Sequence, residues 1–94
     1  MNKHILFVMR NLDNPELFTQ EEKEVNRKSA NTAYAANTAA AASVYAAAAV
    51  AAVAADAAAD TAEGDAEYWI NEFFERSGED KQTYIDEINK MLGE

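Results

Sequence analysis

The hydrophobic pattern of this chain changes character twice. Residues 3–12 (KHILFVMRNL) carry Ile5, Leu6, Val8, Met9 and Leu12, a broad apolar surface. It predicts a short helix, although a run of this length also fits a strand. Asp13, Asn14 and Pro15 end it, because the residue before proline avoids the helical region, and a single turn is expected over residues 15–18. At the other end, Trp69, Ile70, Phe73 and Phe74, with Tyr68 beside them, lie on adjoining helical turns. Tyr84, Ile85, Ile88, Met91 and Leu92 repeat at spacings of three and four. Each large side chain contributes roughly 1.5–3 kcal/mol when fully buried. These segments, a C-terminal helical hairpin plus the first helix, are therefore expected to form most of the core.

Between them the pattern nearly vanishes. Thr19-Gln20-Glu21-Glu22 is a capping box, and Glu21, Glu22 and Glu24 suit the positive end of a helix. From there the sequence predicts one long helix over residues 20–62 or beyond, on the order of 65 Å at ~1.5 Å per residue. Gly64 is the only plausible break, at a cost of about 1 kcal/mol that a packed helix absorbs, so the helix is expected to continue past it. Ser77 and Gly78 form a stronger stop, followed by acids that open a last helix ending near Leu92. On a helical wheel Val25, Thr32, Ser43, Val50 and Thr61 fall on one line, at intervals of 7, 11, 7 and 11 residues. Arg27, Asn31, Thr38, Asp56, Asp60 and Glu63 lie opposite, with Tyr34 and Tyr45 at that face's edge. One side is thus smooth and small, suited to close helix packing, and the other is polar. A rod of this length exceeds what a small core covers, so its outer half is expected to meet another protein or a second copy of the chain.

Composition narrows the class. Alanine, the best helix former, dominates, and the expected fold is all-α. We expect a single helical domain over 1–94: an N-terminal helix and turn (1–18), the long Ala-rich helix (19–63) and an acidic amphipathic segment (64–94). The absence of cysteine excludes disulfides and thiolate metal sites, and a single histidine excludes any site needing two imidazoles. The N-terminal apolar run is too short for a signal peptide, which gives the cytoplasm of whatever cell makes the protein as the expected compartment. Residues 29–55 carry no charge and are long enough to span a bilayer, which leaves a small membrane protein as an alternative. Asn31, Thr32, Asn37, Thr38 and Ser43, and the lack of Leu, Ile or Phe in the tract, weigh against it. The threonine ladder of alanine-rich ice-binding helices is absent, since Thr38 is followed at eleven-residue steps by Ala49 and Asp60.

Charge is distributed unevenly. Residues 1–55 hold five acids and five bases, whereas residues 56–94 hold twelve acids against Arg76, Lys81 and Lys90, so the whole net charge of −9 lies in the C-terminal part. Such a field repels nucleic acid and anionic membrane and favours a basic protein partner or simple solubility. Asp56, Asp60 and Glu63 share a helix face, yet no E-x-x-H motif accompanies them, and a solvated acidic face is the better account. Glu72, Glu75, Glu79, Asp80, Asp86 and Glu87 are read the same way. An acidic mimic of DNA phosphates, blocking a nuclease or DNA-binding enzyme, is the second alternative. His4 has neither nucleophile nor orienting partner in any motif and is expected at a surface or interface. Trp69, Phe73 and Phe74 are expected in the core. Phosphate loops, Ser/His/Asp sets and nucleotide fingerprints are absent, so neither enzymatic activity nor a cofactor is expected.

The two flanks, HILFVMRNLDNPELFTQEE and AEYWINEFFERSGEDKQTYIDEINKML, resemble the ends of small alanine-rich proteins of unknown function encoded by tailed bacteriophages. The resemblance implies a phage accessory protein acting in a bacterial host, where small acidic inhibitors of host or defence proteins are common. It carries over no catalytic or binding residue. The expectation is a non-enzymatic interaction protein that binds an unidentified bacterial protein, with a homo-oligomer through the Ala-rich face as a further partner state. Tyr34, Tyr45, Asp56, Asp60, Glu63, Glu67, Glu72 and Glu75 are the expected contact residues.

Overall fold

A computed structural model describes residues 1–36, 42–60 and 62–93, with every side chain among them except those of Ala42, Ser43 and Glu63. Each described element is an α-helix: α1 (Lys3–Asp13), α2 (Gln20–Ala36), α3 (Ala42–Ala59), α4 (Glu63–Ser77) and α5 (Lys81–Leu92). The all-α class holds. The single long helix does not, because its residues form α2, α3 and the start of α4, and the molecule measures only 37 Å in its longest dimension. The predicted stripe and its opposite face therefore never exist as one surface. Thr38 and Thr61, and the side chains of Ser43 and Glu63, lie outside the described residues.

α2 and α3 run antiparallel. Gln20 at the start of α2 donates to the Ala59 carbonyl at the end of α3 (2.6 Å), and Tyr34 meets Tyr45 near their other ends (2.8 Å between hydroxyls). α2 turns Asn26 and Ala30 inward, while Val25, placed inward by the pattern, is 62% exposed. The reason is size: a helix packs closest through its smallest residues, and Ala30 lets α2 approach α3 as Val25 would not.

The alanine helix is the centre of the fold, where the C-terminal hairpin was expected. Val50, Ala51 and Ala52 are consecutive and all buried, so α3 is covered around more than half of its circumference. Ala54, Ala55, Ala58 and Ala59 are buried as well, with α1, α2 and α4 packed around them. The buried positions of α3 are thus covered by this chain's own helices. Ile5, Val8 and Met9 from α1 and Ile70 and Phe73 from α4 supply the bulk that alanine lacks.

α3 ends at Ala59 and α4 begins at Glu63, so the two helices part ahead of Gly64, which lies inside α4. The Ala62 amide closes back on the Ala57 carbonyl (2.9 Å), satisfying a group the helix end would orphan. Ending the helix forfeits a few hydrogen bonds worth about 1 kcal/mol each, whereas folding α4 back buries Ile70 and Phe73 at roughly 1.5–3 kcal/mol each and covers Ala66. Burial wins. The later stop behaves as the sequence predicts: Gly78 takes φ +74°, the left-handed cap that glycine adopts without strain, and the Asp80 carboxylate caps α5 by accepting from the Gln82 amide (2.9 Å).

α5 is held by one residue above all. The buried Tyr84 packs against Phe74 and Phe73 (ring centroids 4.9 and 6.3 Å). Its hydroxyl donates to Glu79 (2.6 Å) and accepts from the Asn2 amide (2.6 Å), which ties α5 to the head of α1. Burial, and then the Glu79 hydrogen bond, push the Tyr84 phenol well above its ordinary value. Phe73 joins the core as expected, Trp69 and Phe74 are half-buried against it, and Tyr68 is exposed.

Candidate interaction site

Of the expected contact residues, Tyr34 and Tyr45 meet each other and Asp56 is engaged within the fold. Tyr34 and Tyr45 meet with ring centroids 5.0 Å apart, tilted by 47°, and share a hydrogen bond, so they fasten α2 to α3. That bond, with a smaller contribution from burial, raises the Tyr45 phenol. Asp56 accepts from the Asn31 amide across the same seam (3.1 Å), and Asn31 also donates to the Arg27 carbonyl (2.9 Å). Arg27 pairs with Glu24 and feels Asp56 and Asp60 as well, all of which hold its proton more firmly. The polar set predicted on one face of one helix is therefore brought together by two helices lying side by side.

The remaining predicted acids lie on α4. Glu72 is half-buried and paired with Arg76 (3.1 Å), whereas Glu67 and Glu75 are exposed. Glu67 borders a hollow of about 490 Å³ where Met9, Leu12 and Ile70 form the apolar wall and Asp13 and Lys81 stand at the edge. Lys81 is engaged there by Asn71 (3.1 Å). Among the described residues no group of three or more His, Asp or Glu is placed to hold a metal ion. No helix among them is long and apolar enough to cross a membrane.

A different place in the fold has the character of a site. α1 and the first half of α2 enclose an open groove of about 470 Å³, within the range that accommodates small ligands. Its walls are apolar, from Phe7 of α1 and Val25 of α2. Phe7 is held by Phe18 of the connecting turn, stacked at 3.8 Å and 17°, with the Arg10 guanidinium 5.3 Å from the Phe18 ring centre. One end is closed by the capping box: the Thr19 amide donates to Glu22 (2.9 Å), and the Glu22 amide donates to the Thr19 hydroxyl (3.1 Å). Glu21 stands beside it, exposed.

The other end holds His4, expected at a surface or interface and 7% exposed, with Nε2 2.9 Å from the Ser29 hydroxyl. Burial, and then the neighbouring Lys3 charge, lower the His4 imidazole below its ordinary value of 6.5, so it is neutral at physiological pH. Asn26 also lines the groove and is only 9% exposed. Its side-chain amide meets no hydrogen-bond partner among the described residues. Its polar atoms open into the groove, where solvent water or an entering polar group meets them. Asn11, on α1, is likewise buried with its Oδ1 unpartnered among the described residues, but it lines neither hollow.

The sequence pattern missed this groove because its key residues have no periodic signature. Asn26 beside Val25 reads as the outward neighbour of an inward valine, and the reverse is true. His4 meets Ser29 only because α1 folds across α2. Comparison with protein-family models, with curated proteins and with solved structures finds no match for this chain.

Proposed function

We propose that this chain is a non-enzymatic protein–protein interaction module, a phage-type accessory protein that binds and modulates a bacterial host or defence protein in the host cytoplasm. The observation that carries the proposal is the α1–α2 groove: open to solvent, apolar-walled, and floored by an amide with no internal partner. The acidic excess of residues 56–94 adds long-range attraction for a basic partner and raises the encounter rate more than the final affinity. The likeness of both flanks to phage proteins supports a bacterial partner.

The test is capture of partners from bacterial lysate on the immobilised protein, followed by reconstitution with each captured protein in purified form. A stoichiometric complex on gel filtration that survives high salt and excess duplex DNA is the expected result. No such complex with any captured protein would overturn the proposal. A complex that duplex DNA displaces would replace it with the DNA-mimic function.

A further inference from the structure

The interaction role proposed above leaves open which surface is used and what it takes, and the α1–α2 groove answers both. We propose that it is a docking site for a short extended peptide segment of a partner protein, with apolar side chains in its centre and basic side chains at the end nearest Glu21. Three features select this occupant.

Length comes first. Ser29, which His4 touches, and Thr19, at the capping box, lie ten residues apart along α2, so the groove runs about 15 Å between them. At about 3.3 Å per residue it takes four or five residues of extended chain.

The second is the Asn26 amide. It offers two donors and an acceptor in one plane, which matches the C=O and N–H of a peptide unit. A purely apolar ligand would bury that amide without a partner, and an extended backbone would not. On either side of it, Phe7 and the exposed Val25 form two walls for apolar side chains, and alternate residues of an extended segment project to opposite sides.

The third is the charge at the two ends. Lys3 stands beside His4 at one end, and Glu21 and Glu22 stand at the other. Glu22 is committed to the capping box, while Glu21 makes no ion pair among the described residues. His4 is neutral and tied to Ser29, so the charged group lining that end is Lys3. A bound segment therefore places arginine or lysine towards Glu21 and keeps such residues away from Lys3, which fixes its direction as well as its composition.

The probe is the pentapeptide acetyl-Leu-Ser-Leu-Arg-Arg-amide, titrated into the isotopically labelled full chain and followed by NMR. Expected are saturable shifts at the Val25 methyls and the Asn26 side-chain amide. Affinity should fall at least tenfold when Glu-Glu replaces Arg-Arg, and binding should vanish when both leucines become glycine. Asn26→Ala should weaken binding about tenfold. Val25→Glu, at an exposed position, should abolish it while the spectrum of the folded core persists. Glu21→Arg should reverse the preference, favouring the Glu-Glu peptide. Shifts confined to residues 56–94, equal binding of the acidic peptide to the unaltered chain, or no saturable binding would each overturn the groove assignment. If a stoichiometric complex with a captured protein still forms and Val25→Glu leaves it intact, the groove assignment fails while the interaction role stands. If the pentapeptide binds but no captured protein forms a complex, the interaction role fails.

Discussion

α2 and α3 have nearly the same length, 17 and 18 residues, lie side by side, and have opposite fates. α2 carries six charged residues, all between Glu21 and Lys28, and buries only Asn26 and Ala30. α3 has a single charged residue, Asp56, and buries Ala48, Val50, Ala51, Ala52, Ala54, Ala55, Ala58 and Ala59. Alanine is commonly regarded as a weak core former because each side chain buries little area. Here it is the middle of the core, and its value is proximity: three helices approach α3 at once, and the larger residues of α1 and α4 reach across it. Covering an element from three sides with small residues makes one core out of 94 residues without any large side chain at the axis.

The sharpest way to break this contrast is to put the same leucine into each helix. Ala55 is fully buried in α3, and Ala55→Leu should cost about 1–3 kcal/mol by overpacking, a fall in melting temperature of several degrees or more for a domain of this size. Ala35→Leu, at an exposed position of α2, should stay within about 0.5 kcal/mol. Equal losses in thermal melts would mean that α3 is not the axis of the core. Next in size is the capping box that starts α2: Thr19→Ala should cost about 1 kcal/mol by urea denaturation, since two otherwise orphaned amides depend on the reciprocal pair.

The seam between the helices gives a smaller, more specific effect. Tyr34→Phe and Tyr45→Phe should each cost about 0.5–1 kcal/mol, and the double variant little more than either, because one hydrogen bond is lost in all three. Additive losses would show that the hydroxyls act separately. The last effect is a pH dependence confined to the contact between α1 and α2. The imidazole of folded His4 titrates below 6.5, so the unfolded chain binds more protons as pH falls. The stabilisation is complete above about pH 6.5 and is lost as pH falls towards the lower folded value. His4→Gln should flatten that slope in melts between pH 7 and pH 5, and an unchanged slope would assign it to other groups.

Much of the fold was legible where the determinants are local. The capping box at Thr19 and Glu22, the glycine stop at Gly78 and the cap at Asp80 all occur where the residue types place them. Each is a short-range agreement between a side chain and backbone groups within a few residues. The errors share one cause. A wheel drawn on an alanine run has almost no hydrophobic direction, so Val25 and Val50 were placed on one apolar line, and one is 62% exposed while the other is 3% exposed. The end of α3 at Ala59 was missed because burial of α4 drives it, with no local signal. The expected contact residues divide between the α2–α3 seam and α4, and Tyr34, Tyr45 and Asp56 spend their polar groups inside the chain.

By itself the sequence determined that this protein is helical, where three of its helices begin or end, and that its negative charge gathers after residue 55, because propensity, capping and charge are properties of neighbours. Only the tertiary structure decided that the alanine run lies inside, that Asn26 and not Val25 faces inward, and that His4, Asn26 and Glu21 border one groove. Those outcomes depend on which helices can approach most closely, and for a helix of alanine that choice belongs to its partners.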